Sequence, residues 1–124
     1  DDSKSTILVF EGISYFLSEK NFTDIISLFK TQDQTNIILL EYLLPESQIH
    51  YKIRYIPKRI FELLQKDNDI SHITRYDGVT INDYLQDCNV TKKYTLKDME
   101  YDRLGENLYF KNYNGWIEIC IISI

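Results

Sequence analysis

Glycine and proline are scarce in this sequence, four and two among 124 residues, and that scarcity excludes several chemistries. Gly12, Gly78, Gly105 and Gly115 lie too far apart for a phosphate-cradling loop, so no nucleotide cofactor is expected. Only His50 and His72 could serve a serine or cysteine nucleophile as its base, and neither sits in a catalytic signature. Cys88 and Cys120 allow at most one disulfide, and they lack the paired spacing of a zinc site or a redox motif. Asp67-Asn68-Asp69 opens like a calcium loop, but His72 stands where glycine is required and Gly78 where a bidentate glutamate belongs. No apolar run approaches the roughly 20 residues that span a bilayer, and no signal-peptide pattern opens the chain. The expectation is a soluble, reduced, cytoplasmic, non-enzymatic protein with no metal and no cofactor.

What is present is an apolar and aromatic core. Hydrophobic residues make up 44% of the chain, with ten tyrosines and six phenylalanines, enough for a folded domain of this length. The net charge of −5 is unevenly spread: −4 over 1–45, +3 over 46–66, −4 over 67–106 and zero thereafter. That balance argues against a broad nucleic-acid footprint and suits a basic protein partner. With no linker or repeat, one α+β domain over 1–124 is expected, a subdivision into 1–56 and 57–124 having only charge behind it.

Residues 7–17 read as a helix, with a short strand over 7–10 as the alternative. Thr23-Asp24 reads as a helix start, and Thr35-Asn36 as another that leads into Ile37–Leu44 and stops at Pro45. Ile49 to Tyr55 alternates as a strand, and Pro57 fits the first turn of a helix over Lys58–Lys66. Ile70–Tyr76 reads as a strand, Asp77-Gly78 as a turn, Val79–Ile81 as extended, and Asn82 as the cap of a helix over Asp83–Cys88. Thr95 caps a helix over Leu96–Leu104, and Gly105 supplies its left-handed terminus.

Asn114-Gly115 is the strongest turn signal, predicting a C-terminal β-hairpin, 107–113 against 116–124, in a small antiparallel sheet. Pairing across it puts Leu108, Phe110, Ile117, Ile119 and Ile121 on a core face, and Tyr109, Lys111, Tyr113, Trp116, Glu118 and Cys120 on the other. The order from Pro57, helix, extended segment, helix, turn, helix and hairpin, resembles that of a winged helix in topology alone.

Two surfaces emerge as candidates. Tyr109, Tyr113 and Trp116, with the acids Asp98, Glu100 and Asp102, are the expected partner-binding residues, because aromatics anchor interfaces and acids steer a cationic partner. His50, Lys52, Arg54, Lys58 and Arg59 form a secondary basic cluster able to meet phosphate or an acidic surface. The most concrete functional expectation is a small acidic inhibitor or immunity-type protein that occludes the functional site of a basic partner. A winged-helix-like module of a larger assembly, with nucleic acid as a lesser ligand, is the alternative.

Overall fold

The structure, a computed structural model, describes residues 4–30, 35–85 and 88–124. Its frame is a four-stranded sheet of β1 (Ile7–Phe10), β2 (Ile37–Leu43), β3 (Asn89–Thr95) and β4 (Ile117–Ser123), in the spatial order β1-β2-β4-β3. The helices are α1 (Glu19–Leu28), α2 (Tyr55–Asn68), α3 (Gly78–Tyr84) and α4 (Leu96–Leu104). The class is α+β, and the sheet is mixed: β1 runs parallel to β2, while β4 pairs antiparallel with both β2 and β3.

Sheet formation overrides the helical reading of the first third. Residues 7–10 are strand β1, followed by a short 3-10 turn at Ser14–Phe16 in place of a continuing helix. The Ile37–Leu44 stretch is the central strand β2, whose continuous apolar run suits a position paired on both edges. Asn36 is a clasp where a helix cap was expected. Its side chain accepts from the Thr6 amide at 2.7 Å and donates to the Phe29 carbonyl, while its backbone exchanges two hydrogen bonds with Ile124. α1 starts before Thr23, because the Ser18 hydroxyl accepts from the Asn21 amide and caps the helix first.

Further along, residues 51–54 are a turn entering α2, so the expected strand over 49–55 is absent; Ile49 is buried and anchors that turn. The expected strand over 70–76 has no regular structure, though the Thr74 and Tyr76 amides bond the carbonyls of Tyr15 and Leu43. Asp77 caps α3, which absorbs the supposed extended segment 79–81. The helix expected over 83–88 is not formed: α3 stops at Tyr84, and residues 86 and 87 lie outside the described set. α4 forms as read, with a reciprocal capping box between Thr95 and Asp98 and Gly105 at φ 76° closing it.

The C-terminal strand forms, but its antiparallel neighbours are β2 and β3, and residues 107–113 are irregular. The winged-helix order is accordingly replaced by α2, α3, β3, α4, β4. The strand's two faces are also exchanged relative to expectation. Cys120 and Ile122 are fully buried, whereas Ile117, Ile119 and Ile121 are half-exposed. The core brings Ile38, Leu40, Tyr42, Cys120 and Ile122 of the sheet against Phe22 and Ile26 of α1 and Ile81 of α3. Phe10 and Phe22 meet edge to face at 5.9 Å. Glu118 shares the core face and accepts a hydrogen bond from the Tyr42 hydroxyl.

Candidate binding surface

Side chains alternate along each strand, so the sheet's second face is fixed by the register of its four strands. Ile7 and Val9 of β1 lie beside Ile37 and Leu39 of β2, which lie beside Ser123 and Ile121 of β4; Lys92 and Tyr94 of β3 lie opposite Ile121 and Ile119. Most of this face is apolar and open. Ile7 is 64% exposed and Val9 52%, while Leu39, Ile119 and Ile121 are half-exposed.

Two shallow depressions meet at Ile119. One is bounded by Val9, Leu39, Glu11 and Glu41; the other, of about 440 Å³, by Tyr94, Met99, Asp102 and Arg103. Met99 and Arg103 also line a third depression, between α4 and Leu104, Tyr109 and Phe110. The three form one groove across the sheet and along α4. Among the residues lining these three depressions the acids are Glu11, Glu41, Glu100 and Asp102 and the cation is Arg103, while Lys93 and Lys97 line an adjoining depression with Tyr94 and Asp102. Glu41 accepts from the Gly12 amide at 3.3 Å and from the Tyr15 hydroxyl at 3.2 Å. Burial, and then the Glu41 charge, push that phenol up to about 12. Lys92 lies over the Tyr94 ring, 5.7 Å from its centroid.

The expected partner-binding residues do not share one face. Tyr109 is 81% exposed beside the groove, but Trp116 packs on the core with its ring 5.6 Å from Phe110. Tyr113 sits with the basic cluster, its ring 4.5 Å from His50. Among the acids, Asp98 is bound into the Thr95 capping box, where the amide and hydroxyl of Thr95 hold its carboxyl below the usual range. Glu100 is buried and accepts the amides of Tyr109 at 2.8 Å and Phe110 at 2.9 Å and a side-chain hydrogen bond from Asn107. Burial pushes its carboxyl up, but these donors outweigh that effect and hold it below its ordinary value. Asp102 and Glu100 both line the groove, but Glu100 is engaged by the loop amides, which leaves Asp102 as the groove acid without those bonds.

The basic cluster is drawn into local structure instead of forming a strand face. His50 stacks on Tyr51 at 4.6 Å and accepts the Lys52 amide on Nδ1, while Arg54 Nε donates to the Ile49 carbonyl at 2.6 Å. Arg59 reaches toward Glu62 at 4.0 Å, and Lys58 is exposed on α2. Among the described residues, no three His, Cys, Asp or Glu side chains are grouped to hold a metal ion, and no helix is long and apolar enough to cross a membrane.

Val9, Leu39, Tyr94, Met99 and Arg103 are groove residues that the sequence reading did not single out, and Ile119 is one that it assigned to the core. For Leu39 and Ile119 the signal is apolar residues at both parities of Ile37–Leu40 and Ile117–Ile122, more than a sheet with one buried face requires. Fold and surface together describe an α+β domain with an apolar, acid-flanked groove on the outer face of its sheet. The chain matches no protein-family model and no curated protein sequence.

Proposed function

We propose that this protein is a non-enzymatic binding domain, an acidic inhibitor that occludes the functional site of a basic protein partner. The observation that carries this reading is the groove through Val9, Leu39, Ile119, Tyr94 and Met99, an apolar strip with Glu11, Glu41 and Asp102 around it. Apolar area on such a strip supplies affinity when desolvated, and surrounding carboxylates favour a cationic partner and speed its approach. The chain's overall charge of −5 acts in the same direction. Tyr109 and Leu104, exposed at the α4 end, extend the contact area.

The basic residues 50–59 make a poorer case for nucleic acid, since Arg54 and Arg59 already face a carbonyl and a carboxylate.

Affinity capture from the source cells with the wild-type chain, Ile119→Lys and Asp102→Lys tests the reading. Support requires a basic protein that binds wild type in a salt-sensitive manner, loses its own activity on binding, and is not retained by Ile119→Lys. A partner of neutral or acidic character, or one that Ile119→Lys retains equally, overturns it.

A further inference from the structure

The two outer edges of the sheet are built differently. β3 carries Lys92 and Lys93, and its register shifts between Val90 and Lys92; charge and irregularity are two of the devices that keep an edge from pairing. β1, on the opposite edge, is Ile7-Leu8-Val9-Phe10, in unbroken register with β2 and with no charge or proline. Among the described residues, no strand pairs on its outer side. An exposed apolar edge without such guards is a ready template for another strand.

We propose that β1 is a self-association edge, on which a second copy of this chain pairs its own β1 antiparallel. The charges that flank the strand argue for this occupant. Lys4 precedes β1 and Glu11 follows it, both exposed. Antiparallel pairing brings Lys4 of each copy to the end where Glu11 of the other lies, whereas parallel pairing sets like charges together. The arrangement is self-complementary, as a closed two-fold contact requires. A two-fold axis perpendicular to the sheet keeps equivalent faces on one side, so paired residues share parity. In the register with Leu8 at the axis, Ile7 of one copy lies opposite Val9 of the other. The product is a continuous sheet containing both copies' four strands. Ile7 and Val9 of the two protomers become one apolar strip that joins their open faces. The pairing requires no other protein, although Val9 and Glu11 also belong to the groove, and its readout, the association state of the chain alone, is separate from partner capture.

Sedimentation velocity of the full chain, from micromolar to near-millimolar concentration, tests it. The expected result is a concentration-dependent shift from monomer to dimer that goes no further. Val9→Lys, at a half-exposed edge position, should weaken the dimer by about tenfold or more. Lys4→Glu alone should weaken it, and adding Glu11→Lys should restore it. These charge changes lie outside the core and carry the test if Val9→Lys disturbs folding, which circular dichroism would reveal. A monomer throughout, an unaffected dimer in Val9→Lys, or a double charge exchange that restores nothing overturns the proposal.

Discussion

The carboxylate of Glu100 accepts the backbone N–H of Phe110 at 2.9 Å, which fastens the loop after α4 back onto the helix it has just left. The same carboxylate takes the Tyr109 amide, so an acid expected to face a partner organises the chain that presents Tyr109 and lines the groove. Glu100→Ala should release residues 106–112, seen as faster proteolytic cleavage there and a lower melting temperature. Glu100→Gln, which keeps one acceptor oxygen, should fall between.

Acid should destabilise the fold through three carboxyls held below their ordinary values. Thr80 does this at Asp77, Thr95 at Asp98, and the 108–110 amides at Glu100 against the opposing effect of burial. A carboxyl with a depressed folded pKa contributes stability that is present at neutral pH and above the unfolded value. That contribution is lost as pH falls through the folded value. Urea midpoints measured from neutral pH into the acid range should therefore decline, and Glu100→Gln should flatten the decline.

The choice of buried face on β4 has a direct energetic signature. Ile122→Ala removes a fully buried side chain and should cost about 2–5 kcal/mol. Ile121→Ala, on the half-exposed face, should cost roughly half of that or less. Equal costs in urea denaturation would contradict this assignment of faces.

Gly115 adopts φ 95°, and a Cβ there would stand 2.7 Å from Leu96 Cβ. Gly115→Ala combines an unfavourable backbone conformation with overpacking, so a loss of about 1–3 kcal/mol is expected. Leu96→Ala in the same chain keeps the Cβ contact and should recover only the part of the clash due to Cγ and Cδ1, which a double-mutant cycle would resolve.

Cys120 is buried in the sheet, and that burial pushes its thiol up to about 12. At mildly alkaline pH it should resist iodoacetamide in the native protein and react readily in urea, as followed by mass spectrometry of the peptide that contains it.

Some of this structure is written locally. Thr95, Asp98 and Gly105 define α4 through capping and a left-handed terminus, interactions complete within a dozen residues. The amphipathic helix after Pro57 and the β-forming C-terminus follow from period and propensity in the same way, and together they establish the α+β class.

The rest depended on what each segment met in space. Ile37–Leu43 is apolar at nearly every position and fits either period; pairing with β1 on one side and β4 on the other makes it a strand. Ile117–Ser123 is apolar on both faces, so alternation alone cannot say which is buried. Phe22, Ile26 and Ile81 from α1 and α3 select the Cys120 and Ile122 face and leave Ile119 in the groove. Asn114-Gly115 is a strong local turn signal, yet β4 pairs with β2 and β3 instead, because two long ladders satisfy more backbone groups than a hairpin to 107–113. The sequence by itself determined the α4 cap and terminus, the class and the terminal strand, while the Thr23, Asn36 and Asn82 caps gave way to Ser18, a strand and Asp77. Tertiary packing decided strand partners, the buried face and the grouping of surface residues, because those depend on contacts between segments far apart in the chain.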